Sequence, residues 1–321
     1  MSDYQEFRVP VAGGELAGGQ WHSNAPGLPL LAIHGITASH QCWPAIARAL
    51  PNTPVIAPDL RGRGRSNRLP APWGMRDHAD DAARVLDALG IERAVIVGHS
   101  MGGFVAVRLA DQHPDRVASV VLIDGGLPLP SPDAPIADAS GADASGADAS
   151  GADAAPAPVP TAEQAIALLG PAAQRLTMTY PSREAYADFW RVHPAFADWN
   201  DDIAAYIDYD LEPDGDVFRS SARLEAVATN IAQLGDDDGY AQALAALPTP
   251  LEFLHAPRGL MNETPPLYPK ERLAELAQAF PALRVHEVDD VNHYTILMSG
   301  HGVAQVLPVL QGRLVAANAA N

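Results

Sequence analysis

Gly98-His99-Ser100-Met101-Gly102 is the segment of this chain best equipped to do chemistry. It follows an apolar run, Ala94-Val95-Ile96-Val97, and opens a helical pattern that continues over residues 104–112. A G-x-S-x-G stretch between a strand and a helix makes a turn sharp enough to project the serine, a nucleophile elbow. Glycines at 98 and 102 let neighbouring backbone approach where a Cβ would collide. A serine hydroxyl attacks poorly until a base takes its proton. Of eleven histidines, His293 is the best placed, in Asp289-Asp290-Val291-Asn292-His293-Tyr294 just past the last strand-like run. Acyl chemistry also needs donors for the oxyanion that develops on the carbonyl. The backbone N–H of Met101, at the start of the helix, supplies one. Ile36, in His34-Gly35-Ile36, is placed to supply the other. His34 itself reads as a brace for its loop.

These residues must be gathered by the elements between them. Residues 7–11 and 15–21 flank Gly13-Gly14 and read as a hairpin. Apolar runs at 30–33, 55–57, 94–97 and 119–123 alternate with helical patterns at 43–50, 77–89 and 104–112. Strands that are apolar throughout and alternate with helices imply an α/β fold, a mostly parallel sheet covered by helices on both faces. The rhythm resumes with a strand at 251–254, a helix at 270–279, a strand at 284–288 and a helix at 299–316, interrupted or restarted near Pro308. Between the two halves, residues 161–247 are helical in pattern and carry Tyr180, Tyr186, Phe189, Trp190, Phe196, Trp199, Tyr206 and Tyr209. That block is an insertion, expected as a helical cap over a core made of residues 1–126 and 248–321. Residues 127–160 contain tandem Ala-Asp-Ala-Ser-Gly repeats with almost nothing to bury, and are expected as a flexible loop.

With 321 residues, 47% hydrophobic and 19% charged, the composition is that of an ordinary globular protein. A formal net charge of −18 argues against nucleic acid or an anionic membrane as partner, since both need a positive footprint. Part of that charge, from Asp133 to Asp153, lies in the low-complexity segment. The single cysteine, Cys42, excludes an intrachain disulfide and reads as a small buried hydrophobe. The start has no signal-peptide pattern, and no apolar stretch is long enough to span a membrane, so a cytoplasmic enzyme is expected. Neither an H-E-x-x-H motif nor a Walker loop occurs, so no metal and no cofactor is indicated.

Ile33-His34-Gly35, the segment Ala57-Pro58-Asp59-Leu60-Arg61-Gly62-Arg63-Gly64-Arg65-Ser66, the elbow and Asn292-His293 together resemble the α/β-hydrolase superfamily, in its cap-bearing branch. The resemblance covers roughly residues 5–126 and 248–316. It implies that the arginines at 61–65 belong to a structural loop, not a polyanion site. It also frames the search for the acid that orients His293. Many relatives place it after the strand that follows the cap, where this chain reads His255-Ala256-Pro257-Arg258-Gly259 and offers only Glu263 further on. Others place it after the strand that precedes the cap, where Asp124 stands. Asp124 is the favoured acid and Glu263 the alternative. A serine at the elbow argues against the haloalkane dehalogenases and epoxide hydrolases of the superfamily, which use aspartate there. The expected activity is a serine esterase or lactonase acting on a small apolar substrate. Amide hydrolysis and carbon–carbon bond hydrolysis on the same triad are alternatives, as is a ligand receptor with vestigial hydrolysis. The aromatic residues of the insertion serve its own packing or an apolar ligand.

Overall fold

The structure is a computed structural model and describes residues 3–129, 161–235, 239–247 and 250–320. The repeats expected as a flexible loop lie, from residue 130 to 160, outside the described residues. β1 (Tyr4–Val11) and β2 (Gly14–Trp21) form an antiparallel hairpin around Gly13, whose φ of +89° suits a residue without a Cβ. The chain then alternates β3 (Leu30–Ile33), α1 (Pro44–Ala49), β4 (Val55–Pro58), α2 (Met75–Ala88), β5 (Ala94–His99), α3 (Met101–Gln112) and β6 (Val117–Ile123).

The insertion follows: α4 (Ala162–Leu169), α5 (Pro171–Gln174), α6 (Arg183–Arg191), α7 (Asp201–Asp210), β7 (Leu211–Asp214), β8 (Val217–Ser220), α8 (Leu224–Ile231) and α9 (Tyr240–Ala245). The core resumes with β9 (Leu251–His255), α10 (Lys270–Ala279), β10 (Leu283–Glu287), α11 (Thr295–Met298) and α12 (Gly300–Ala319).

Eight strands form one sheet in the order β1-β2-β4-β3-β5-β6-β9-β10. Only β1–β2 and β2–β4 pair antiparallel; the remaining pairs are parallel. β3, β4 and β5 are buried along their whole length, which is why they read as continuous apolar runs. Their side chains alternate between two cores. Leu31, Ile33, Ile56 and Ile96 pack with Ala82, Leu86 and Phe104 of α2 and α3. Leu30, Ala32, Val55, Val95 and Val97 pack on the other face with Ile46 of α1 and Val306 and Leu310 of α12.

Two sequence expectations change. The insertion is not wholly helical: β7 and β8 pair as a hairpin around Gly215, whose φ is +63°. Four-residue strands are too short to register as a period. α12 also runs unbroken through Pro308, which sits on its exposed side. Val303 and Val306 before it and Leu310 and Leu314 after it are all buried, so packing holds both halves in line despite the missing N–H.

β3 is hydrogen-bonded between β4 and β5, so the chain leaves it in one direction and returns on the other side. Strand order reverses there, and the crevice beyond the carboxyl ends of such strands is where ligands bind in open α/β sheets.

Candidate active site

Ser100 links β5 to α3 with φ +55° and ψ −126°, a backbone conformation that residues with side chains rarely adopt. Close packing holds it there. A Cβ on Gly102 would lie 2.1 Å from the Ile33 carbonyl oxygen, and one on Gly98 would lie 2.2 Å from that of Gly102. The Ser100 N–H donates to the Ile123 carbonyl at 2.9 Å. Gly125 completes the nest: a Cβ there would fall 2.2 Å from the Ser100 carbonyl oxygen. Sequence reasoning gave Gly125 no role, although a Gly-Gly pair after a strand was a usable signal.

Asp124 follows β6 and is fully buried. Its N–H donates to the Leu254 carbonyl at 2.7 Å, and its Oδ1 accepts the Ala256 N–H at 3.1 Å. The carboxylate is thereby fixed against the end of β9. His293 Nδ1 donates to Asp124 Oδ2 at 2.6 Å. With the proton held on Nδ1, the lone pair sits on Nε2. The loop that carries the imidazole is held as firmly. Asn292 Oδ1 accepts the N–H groups of Tyr294 and Thr295, both at 3.0 Å, and its amide donates to the Ala195 carbonyl in the insertion at 3.0 Å. His99 Nε2 donates to the His293 carbonyl at 2.8 Å. Burial first, and the neighbouring His293 second, keep His99 well below the usual histidine range and hence neutral. This support by His99 went unnoticed in the sequence, where the residue appeared only as the variable position of the elbow.

Glu263 is not brought to His293. It is exposed, and its Oε2 accepts the Met261 N–H of its own turn at 2.6 Å. The structure thus joins Asp124 to the imidazole.

Ile36 lies in the loop after β3, beside the elbow. A Cβ on Gly35 would sit 3.0 Å from that of Ser100, a tight contact that the missing side chain avoids. Met101 is the first residue of α3, and an amide at that position has no acceptor one turn earlier. His34 is fully buried, donates from Nδ1 to the Gly35 carbonyl at 2.7 Å and accepts the Leu60 N–H on Nε2 at 2.9 Å. Burial pushes its pKa down to about 4, so it braces the loop as a neutral ring.

Ser100, His293, Ile36 and Met101 line one pocket. Among the described residues no hydrogen bond joins Ser100 Oγ to His293. Such contacts are commonly loose in ligand-free sites and tighten when substrate closes the pair off from water. The remaining walls are apolar, with Phe104, Leu129, Leu169, Leu260 and Met298 among them, and no described lining residue carries a fixed charge. Of the aromatics in the insertion, Tyr206 reaches the pocket, whereas Tyr186 and Phe196 each pack edge to face with Trp190. Cys42 also touches the pocket, and burial raises its thiol far above the usual range.

The arginines at 61–65 do not form a polyanion site. Arg61 pairs with buried Asp81, Arg63 is buried against backbone carbonyls, and Arg65 lies over the Tyr209 ring at 4.2 Å. No helix among the described residues is long and apolar enough to cross a membrane.

Comparison with known proteins agrees with this architecture. Residues 29–298 match the family model of the alpha/beta hydrolase fold. A lipase of Mycobacterium tuberculosis, LipV, is 44% identical over 100 residues, covering 31% of this chain and 38% of the lipase. A putative carbamate hydrolase of Caulobacter segnis, RutD, is 36% identical over 125 residues, covering 38% of this chain and 42% of that protein. The matches thus span well under half the length of these curated relatives. The crystal structure of E-2-(acetamidomethylene)succinate hydrolase superposes with a TM-score of 0.71 over 96% of this chain and 99% of its own, at 20% identity.

Proposed function

The chain belongs to the α/β-hydrolase family, and from that premise we propose that it is a serine hydrolase cleaving uncharged, largely apolar carboxylic esters or lactones through an acyl-enzyme on Ser100. One observation carries this reading: the buried Asp124–His293 hydrogen bond of 2.6 Å opens into the pocket that the elbow serine shares.

In the first step His293 Nε2 takes the Ser100 proton as Oγ attacks the substrate carbonyl. The N–H groups of Ile36 and Met101 receive the oxyanion, and Asp124 balances the imidazolium. As the tetrahedral intermediate collapses, His293 returns the proton to the leaving alkoxide. In the second step it draws a proton from water, which attacks the acyl-enzyme and frees the acid and Ser100. Apolar walls without fixed charge favour a neutral acyl group, because a carboxylate buried there would have no partner. The insertion supplies Leu169 and Tyr206 to the pocket and on this reading acts as its cap.

Likeness to a lipase and to a putative carbamate hydrolase supports hydrolysis of acyl bonds while leaving the leaving group open. The test is a panel of p-nitrophenyl esters, lactones, amides and carbamates, with a fluorophosphonate to label the nucleophile. Ester or lactone turnover, abolished together with labelling in Ser100→Ala, is expected. Undiminished turnover in Ser100→Ala would discard the assignment.

A further inference from the structure

We propose that Arg63 and Arg175 are positioning residues that clamp the loop bearing the Ile36 amide from two sides, making that donor dependent on a docked insertion. The inference rests on the serine-hydrolase reading above and adds to it two side chains that touch neither substrate nor reacting atoms.

The two carbonyls that follow the proposed oxyanion donor are each held by a buried guanidinium. Arg63 Nε donates to the Ile36 carbonyl at 2.9 Å. Arg175, from the insertion, donates to the Thr37 carbonyl at 2.7 Å. Consecutive carbonyls fixed in this way set the planes of the two peptides after Ile36 and steady its backbone from that side, while the Gly35–Ile36 peptide that carries the N–H is held by His34 at the Gly35 carbonyl. Arg63 also donates to the Arg61 carbonyl at 2.9 Å and reaches the sulfur of Met101, the other proposed donor residue, at 3.9 Å.

Both clamps are tied to the insertion. Arg63 donates to Asn230 Oδ1 in α8 at 2.7 Å. Arg175 belongs to the insertion outright and is anchored there by Asp210 at 3.2 Å, by the Tyr186 hydroxyl at 2.9 Å and by the Ala172 carbonyl. Ser220 and Ser221 bond the same Asp210 carboxylate at 2.8 and 3.0 Å, so Arg175 arrives on a rigid mount.

The charge on Arg63 is the telling feature. It is 0% exposed, and among the described residues no carboxylate pairs with it. Burial pulls its pKa down to about 9, which still leaves it cationic at neutral pH. A buried cation without a counter-charge costs stability, which its hydrogen bonds to three oxygen acceptors offset in part. Those acceptors call for donors, which a neutral group could also supply, and do not by themselves call for a full positive charge. The place of Arg63 behind the amide that would meet a developing oxyanion does.

The experiment compares wild type, Arg63→Met, Arg63→Lys and the charge-neutral pair Arg175→Met with Asp210→Asn, using p-nitrophenyl acetate turnover and thermal melting of the full chain. Arg63→Met is expected to melt lower, because three buried acceptors lose their donor, yet when assayed well below its melting transition its kcat falls about 30- to 100-fold with KM within about twofold. That loss approaches the ~10²–10³ of deleting an oxyanion donor outright. Arg63→Lys, which keeps the charge, should recover part of kcat. The charge-neutral pair should lose kcat about 10-fold in folded protein, again with little change in KM.

Full kcat in folded Arg63→Met and in the charge-neutral pair overturns the clamp. So does a loss that disappears when each variant is assayed well below its melting transition, or one that appears as raised KM alone. Ser100→Ala separates the two levels. If it is inactive while the arginine variants are fully active, only the clamp falls; if it is active, the hydrolase reading and the clamp fall together.

Discussion

Replacing Asp124 with asparagine isolates the contribution of one buried charge. The amide has nearly the size of the carboxylate, and its oxygen can still accept the Ala256 N–H that Oδ1 now receives at 3.1 Å. The His293 side changes sign. An asparagine nitrogen donates where Oδ2 accepted at 2.6 Å, which drives the imidazole proton from Nδ1 to Nε2. The ring then offers Ser100 a proton instead of a lone pair. The imidazolium of the acylation step also loses its counter-ion. With charge centres about 4 Å apart and an effective dielectric near 20, that attraction is roughly 4 kcal/mol. At about 1.4 kcal/mol per decade, this alone is close to three orders of magnitude in rate, and the wrong tautomer adds to it. The expected fall in kcat/KM is therefore about 10³- to 10⁴-fold, with folding intact. Glu263→Gln should stay within about twofold of wild type, because that carboxylate bonds only its own turn. Steady-state p-nitrophenyl ester hydrolysis together with the rate of fluorophosphonate labelling reads both variants. An Asp124→Asn enzyme retaining more than about a tenth of its activity, or a crippled Glu263→Gln, would refute the reasoning.

Other consequences are open to measurement. Ser100 is held at φ +55°, which costs roughly 1–3 kcal/mol for a residue with a side chain. Ser100→Gly should therefore raise the melting temperature by about 2–4 °C while abolishing turnover, and a lowered melting point would contradict the strain. His34, neutral when folded with a pKa of about 4, takes up a proton near pH 6.5 when unfolded. Its stabilising effect is thus complete above pH 6.5 and is lost as pH falls towards 4, about 2 kcal/mol of it between pH 7 and 5. In urea titrations His34→Gln should show a correspondingly shallower acid loss than wild type, and parallel slopes would count against a neutral buried ring. On the proposed reading, ester hydrolysis would leave a carboxylate in a pocket whose described walls carry no fixed charge. The acid product should therefore compete weakly, with an inhibition constant well above the substrate KM, and tight product inhibition would reveal a cation at the site.

Much of the fold was legible because its strands are apolar without interruption. Leu30-Leu31-Ala32-Ile33 and Ala94-Val95-Ile96-Val97 declare a sheet buried on both faces, and the helical patterns between them declare its covering. The elbow was legible because glycines at 98 and 102 are demanded by contacts as close as 2.1 Å. The partner of His293 was narrower than composition or spacing could decide. Asp124 and Glu263 both lie in loops past strands, and only the three-dimensional ending of β6 against β9 sets one of them beside the imidazole. The β7–β8 hairpin was hidden by its brevity, and the continuity of α12 by Pro308, where tertiary packing overrode a local signal. Least legible were contacts between distant segments. Arg175 and Thr37 stand 138 residues apart, and nothing local in either marks the other.

That last gap shows how labour is divided in this molecule. The core alone brings three loops to the carboxyl edge where strand order reverses: the one after β3 with Ile36, the one after β5 with Ser100, and the one after β6 with Asp124. His293 joins them from beyond β10, carried by a loop whose Asn292 is bonded to the Ala195 carbonyl of the insertion. Thr37, in the first of these loops, is bonded to Arg175 of the insertion as well. On the proposed reading, the nucleophile and its acid are therefore fixed by the sheet, whereas the base and one oxyanion donor are each steadied from above. The insertion then does more than enclose substrate. Its docking completes the geometry at two of the five proposed catalytic positions, so a substrate that wedges it open would bind and yet react slowly. Selection by size would accordingly appear in kcat before it appears in KM.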